Sequence, residues 1–230
     1  MTIALETSVV QEWANTVAHL PARASLVIGD AAWEDYEELL RELGPTYPQR
    51  IFYDKGKMEI MPPTFNHHHP ISGIHNLIVV LRDELDMDIE PSGSTTLRAR
   101  LKEAGAEPDD AFYVQNAARI IGKTDLDLSQ DPPPDIMVEV DRTSSSLNRF
   151  AIYARLGVPE IWRLHGETVK FHLLETDAYA ESAHSRAFPF LASDALSRFL
   201  AQSLKEGERL AAKAFRAWVR EHLATSDGGK

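Results

Sequence analysis

Pro134-Asp135-Ile136-Met137-Val138-Glu139-Val140-Asp141 is a short β-branched run with carboxylates at its entrance, inside it and at its end. It has a counterpart upstream, Glu107-Pro108-Asp109-Asp110-Ala111-Phe112-Tyr113-Val114. Both read as strands. Asp and Glu are poor strand formers and are costly to bury without a partner. Asp109 and Glu139 stand 30 positions apart, room for a strand, a long loop and a second strand. Their side chains can then meet across a strand pair. Glu139 and Asp141 are two apart, so they share one face of an extended chain. Carboxylates that face each other repel unless a cation lies between them, and hard divalent ions such as magnesium prefer such oxygen ligands. The residue types therefore point to metal-dependent hydrolysis.

Outward from these strands, the spacing sorts into elements. Ile71, Ile74, Leu77, Ile78, Leu81 and Leu85 recur at intervals of three and four, the clearest amphipathic helix in the chain, with Pro70 in its first turn. Before it, Arg50–Met61 reads as a hairpin turning at Asp54 and Gly56. Trp33, Tyr36, Leu39 and Leu40 have helical spacing between Asp30 as N-cap and Gly44 as stop, and Val9–Leu20 is a further helix. Ser94–Leu101 reads as a strand with Arg98, Arg100 and Lys102 near its end, and 123–134 as an Asp- and Pro-rich loop. Beyond Asp141, Ser144–Ser146 offers N-caps for a helix ending at Leu156, closed by Gly157 and Pro159. A second hairpin follows, Glu160–Leu164 with Thr168–Leu174. From Ser193 the pattern is helical, broken near Gly207. Strands interleaved with helices imply an α/β architecture with a mixed β-sheet flanked by helices. The expected organisation is an extension over 1–29, a catalytic domain over 30–190, and a helical extension over 191–230 packed on the same domain.

Composition narrows the function classes. There is no cysteine, which excludes disulfides, thiolate metal sites and a Cys nucleophile and suits a reducing cytoplasm. No apolar run approaches a membrane span, and the start lacks the basic-then-apolar pattern of a secretory signal. The net charge of −11 is unlike that of a dedicated nucleic-acid binder, so any phosphate-binding surface must be local or assisted by metal.

A wider set of segments resembles the bacterial Uma-two family, a restriction-endonuclease-like group within the PD-(D/E)XK nuclease superfamily. These are Trp33-Glu-Asp-Tyr36, Glu59-Ile-Met61-Pro-Pro followed by His67, Glu107–Val114, Pro134–Asn148 and Ile152–Trp162. The resemblance implies a restriction-endonuclease-like core. It implies magnesium or manganese held by Asp109, Glu139, Glu59 and the backbone at Val140, with His67 near the site. It implies DNA as substrate and a homodimer, since cutting two strands needs two sites. One position departs from the superfamily pattern. Where the superfamily has Lys two after the second acid, this chain has Asp141, and the Lys that many relatives carry on the next helix is Arg149. Arg pairs with phosphate bidentately, but its pKa is too high for it to act as a base. The departure and the acidic charge favour a second reading, a nuclease fold kept as a binding or assembly module. Hydrolysis of RNA or a smaller phosphodiester is a third.

Plainer readings compete for several residues. Neighbouring side chains of His67-His68-His69 point apart on an extended chain and converge poorly on one zinc. Ser144–Ser146 lacks the Gly-x-Ser-x-Gly elbow of a hydrolase and serves as a cap. Asp135 marks a strand entrance. Asp141 is either a cap or a site residue. His75 belongs to a helix surface, and Trp33, Tyr36, Tyr153 and Trp162 belong to the core. Arg98, Arg100 and Lys102 are the phosphate-contact candidates, against a solvated strand edge.

Overall fold

The computed structural model describes residues 8–21, 24–44, 46–62, 68–141 and 147–227. In chain order the elements are α1 (Val9–Ala18), β1 (Leu26–Ile28), α2 (Trp33–Leu43), β2 (Arg50–Asp54), β3 (Lys57–Met61), α3 (His68–Leu85), β4 (Glu90–Pro91) and β5 (Leu97–Ala99). There follow β6 (Ala104–Ala106), β7 (Asp110–Tyr113), β8 (Ile136–Val140), α4 (Arg149–Leu156), β9 (Glu160–His165), β10 (Thr168–Glu175) and β11 (Ala178–Ser182). The last two are α5 (Ser193–Glu206) and α6 (Glu208–Asp227). The α/β architecture is as the sequence implies, and its strands divide between two sheets. One has the order β1-β3-β2-β6-β5, the other β11-β10-β9-β8-β7-β4.

The β2–β3 hairpin turns through Lys55 and Gly56, both at positive φ, the conformation that matches the twist of the flanking strands. β8 and β9 are the parallel pair, joined through α4, as a parallel connection requires a crossover. Asn148 caps α4 by accepting from the Ala151 N–H, and Gly157 ends it at φ 87°. The expected serine caps at 144–146 lie outside the described residues. Asp30 is not the cap of α2. Ala32 holds that position, and Asp35 reaches back to the Ala32 N–H at 2.8 Å. The strand expected over 94–101 is shorter, because the chain turns into a 3₁₀ segment at Arg100–Lys102.

Three apolar clusters explain the layering. The first lies between α1, α2 and the five-stranded sheet, and includes Trp33, Tyr36, Ile51, Tyr53 and Ile60. The third lies on the other side of the six-stranded sheet, where Ile74, Leu77 and Leu81 of α3 meet Phe199, Phe215 and Val219 of α5 and α6. The middle cluster joins both sheets to α4: Phe52 and Met61 from one sheet, Ala111, Met137 and Ile161 from the other, Ile152, Tyr153 and Leu156 from the helix. Trp33, Tyr36, Tyr153 and Trp162 are all buried, as expected of core residues.

Candidate active site

Strand parity delivers the acids to this middle layer. Alternate residues of a strand face opposite ways. In β3, Met58 and Ile60 enter the outer cluster and Met61 the middle one, so Glu59 shares the inner face with Met61. In β8, Ile136 and Val138 pack outward and Met137 inward, so Glu139 also faces inward. In β7, Phe112 packs outward and Ala111 inward, which puts Asp109 just ahead of the strand on the inner side. β7 and β8 are antiparallel neighbours with Asp110 opposite Val138. Asp109 Oδ2 accepts the Val140 N–H at 2.9 Å, which seats it beside Glu139.

Glu139 is nearly closed off from water. Arg149 Nη1 donates to its Oε2 at 2.7 Å, and the Tyr153 hydroxyl donates to its Oε1. Arg149 is the first residue of α4, so Tyr153, four on, shares its helix face. The guanidinium also lies 4.3 Å from the Phe52 ring centroid, with Nη2 3.0 Å from Met61 Sδ. Burial pushes the Glu139 carboxyl above its usual range; Arg149 offsets part of this and the charge of Asp109 adds to it. Burial pulls Arg149 down, but the Glu139 charge, together with Tyr153, the hydrogen bond to Glu139 and Asp109, more than restores it, so the guanidinium stays charged. Burial and Glu139 together hold the Tyr153 phenol well above its ordinary value, protonated and able to donate.

The expected site residues thus fare differently. Asp109, Glu139, Val140 and Arg149 converge. Glu59 is fully buried within β3, and its Oε2 accepts the Leu147 N–H at 3.3 Å, so it braces the turn entering α4. Among the described residues no group of three or more His, Asp or Glu is placed to hold a metal, so Glu59 does not complete a three-carboxylate cluster there. His67 lies outside the described residues. Tyr153 belongs to the site as well as to the core. Only its spacing of four from Arg149 hinted at that.

Other acids have structural roles. The Ser-rich turn that Asp141 is expected to cap lies outside the described residues. Asp141 pairs with Arg163 at 2.8 Å and His165 at 3.1 Å on the neighbouring β9. Asp135 accepts from the Val114 and Asn116 N–H groups at 2.7 and 2.9 Å, tying the end of β7 to the entrance of β8. His75 is only partly a surface residue, for its Nδ1 lies 3.1 Å from buried Asp110. Of the basic trio, Arg100 pairs with Glu34 and Glu37, and Lys102 Nζ caps the end of α4 at the Leu156 carbonyl, 3.1 Å away. Arg98 is exposed and, among the described residues, makes no such bond.

A cavity of about 560 Å³ opens over the Glu139–Arg149 pair, bordered by Asp141, Asn148, Arg163 and Tyr179. It is large enough for a nucleotide-sized group. Among the described residues no helix is long and apolar enough to cross a membrane.

A search of curated proteins returns no match. Among solved structures, the chain is similar to one from Anabaena variabilis ATCC 29413, described as "a putative nuclease belonging to DUF820". The identity is 14%, the match covers 71% of this chain and 97% of that one, and the TM-score is 0.48. The family model described as "Putative restriction endonuclease" matches residues 33–204, a span that includes both acid-bearing strands and α4. On that match, which runs over well more than half of its length, the chain belongs to the Uma2 family.

Proposed function

We propose that this chain is a magnesium-dependent endodeoxyribonuclease that hydrolyses phosphodiester bonds with metal-activated water. One observation carries the reading: Asp109 and Glu139 are brought side by side on the inner face of adjacent strands, and Glu139 lines a cavity together with the guanidinium of Arg149. The family description supports it.

The donor set fits magnesium in type. That ion keeps several waters and commonly takes only one or two carboxylates together with substrate phosphate. Asp109 and Glu139, with the Val140 carbonyl, would hold it, and Glu59 would support them from β3. Bound there, the ion would lower the pKa of a water and offset charge on the phosphate. The protein's own groups do the rest. The Val140 N–H orients Asp109 by taking one of its oxygens. Tyr153 fixes the rotamer of Glu139. Arg149 stays charged and cannot act as a base, so its part is to neutralise a phosphate oxygen once it turns from Glu139. A homodimer in the cytoplasm, with one site per DNA strand, completes the proposal.

A second reading is favoured by one feature. Both Glu139 oxygens already have donors, and the internal cation Arg149 supplies the charge balance that a metal would otherwise bring. A binding or assembly module with little catalysis would keep that arrangement. RNA or a smaller phosphodiester is the alternative substrate.

Cleavage of supercoiled plasmid and of RNA with magnesium or manganese, beside calorimetric titration of manganese, distinguishes these. Metal-dependent cutting of DNA, lost in Asp109→Ala and Glu139→Ala, is the expected result. A folded wild type that neither cuts nor binds metal would give the module reading its place.

A further inference from the structure

A second concavity, of about 1010 Å³, lies where the end of α2, the start of β2, the segment between β4 and β5 and the loop at 124–126 meet. It shares no lining residue with the Glu139 cavity. Three arginines line it: Arg41, Arg50 and Arg98. Among the described residues none of the three has a carboxylate within ion-pair distance. Seven other described arginines do have one, Arg82, Arg100, Arg149, Arg155, Arg163, Arg216 and Arg220, and four scattered elsewhere, Arg119, Arg186, Arg198 and Arg209, do not. Three guanidinium groups without an ion pair thus gather around one concavity of a chain whose net charge is −11, with Glu107, which feels the Arg50 charge, beside them.

Arg50 adds an independent sign. Its Nε is buried and, among the described residues, has no hydrogen-bond partner. A buried donor left unmade is destabilising, and such groups in folded proteins usually have a partner. Three acids also border the concavity, and each has partners of its own. Glu37 pairs with Arg100. Asp125 accepts its neighbour's N–H at Leu126, 2.9 Å away. Glu107 accepts from the Tyr47 hydroxyl, from Thr96 Oγ1 at 2.7 Å and from the Ile51 N–H at 2.8 Å. Burial pushes the Glu107 carboxyl above its usual range, against the pull of its hydrogen bonds and of the Arg50 charge.

We propose that this concavity binds a phosphate-bearing ligand, with the phosphate held by Arg50 and Arg98 and with Arg41 at the rim. The planar guanidinium fork matches the geometry of phosphate oxygens and makes short, charge-assisted hydrogen bonds to them. A free phosphorylated small molecule and the backbone of a nucleic-acid strand present the same chemistry. The site stands whether or not the Glu139 cavity cuts DNA.

The test measures binding in EDTA, so that no metal-dependent step contributes. Inorganic pyrophosphate is titrated by calorimetry, and a fluorescein-labelled 12-nucleotide single strand by anisotropy. Arg50→Gln and Arg98→Gln are compared with wild type and with Arg220→Gln, whose guanidinium pairs with Glu84 away from the concavity. Arg98 is exposed, so its variant keeps the fold even where Arg50→Gln does not. The expected result is binding of at least one probe, weakened roughly tenfold by each groove variant and within about twofold of wild type for Arg220→Gln. Pyrophosphate alone identifies a small phosphorylated ligand; an oligonucleotide displaced by pyrophosphate identifies a nucleic-acid backbone. Binding of neither probe, or wild-type affinity in both groove variants, overturns the site. Asp109→Ala keeps this binding even as it removes cleavage, so the two proposals fail separately.

Discussion

Arg149 Nη1 lies 2.7 Å from Glu139 Oε2, and the two side chains are only 10% and 6% exposed. Ten residues of chain separate them, yet the end of β8 and the first turn of α4 bring them together in the layer between the sheets. A charge pair so deep gains little net stability, because each ion has given up its water. Breaking it is another matter, since the survivor keeps its burial and loses its partner.

Arg149→Ala is therefore expected to lower stability by about 3–5 kcal/mol, read by urea or thermal unfolding. Arg149→Lys retains the charge but loses the contact with Phe52 and Met61, and falls between the variant and wild type. Equal stability of the alanine variant and wild type would show that the pair is not formed in solution.

Tyr153→Phe leaves the ring and its packing intact and removes one donor to Glu139. A loss of about 1–3 kcal/mol follows from the unsatisfied buried oxygen. The Glu139 pKa should rise further, because the phenol's hydrogen bond now lowers it. Carboxyl chemical shifts across a pH titration would show the change, and an unmoved Glu139 resonance would contradict the bond.

His75 provides a pH-dependent contact. The hydrogen bond with Asp110 raises its pKa against the opposing pull of burial. A raised histidine pKa means that the folded state binds the proton more tightly. The contribution is full below the usual value near 6.5 and is lost as pH rises through the higher folded value. The side chain is 41% exposed, so solvent screening keeps the effect under about 1 kcal/mol. The melting-temperature gap between wild type and His75→Ala should be widest below about pH 6 and narrow at alkaline pH. A gap that widens with pH would reverse the assignment.

Gly105 sits against the α2 side of the five-stranded sheet. A Cβ there would lie 2.5 Å from Tyr36 Oη and 2.7 Å from its Cζ. Tyr36 is fully buried, stacked on Tyr53 at 5.1 Å and in edge contact with Trp33. It has no room to yield. Gly105→Ala should cost about 1–3 kcal/mol, whereas Gly29→Ala, with open space around it, should not shift the melting temperature by a comparable amount.

Hairpin β2–β3, helices α3 and α4 and strands β7 and β8 were legible because local rules specify them. Their apolar residues recur at helix or strand period, and Gly56 and Gly157 stand where the chain needs positive φ. The three-residue strands β1 and β6 were not legible. Three residues hold too little pattern, and Ala104-Gly105-Ala106 has no β-branched side chain at all. Their strand conformation comes from pairing with β3, β2 and β5.

The candidate site divides along the same line. Residue types and parity alone place Glu59, Asp109 and Glu139 on faces that carry apolar neighbours, because side-chain direction in a strand follows from the backbone. Which acid meets which donor is decided in three dimensions. Asp109 takes a backbone N–H of β8, and Asp141 turns to Arg163 across the sheet. Arg100 is drawn to Glu34 and Glu37 of α2, leaving Arg98 at the groove. These pairings join residues 22 to 66 positions apart. No local preference encodes them, since each depends on how two sheets and a helix settle against one another to bury their apolar faces.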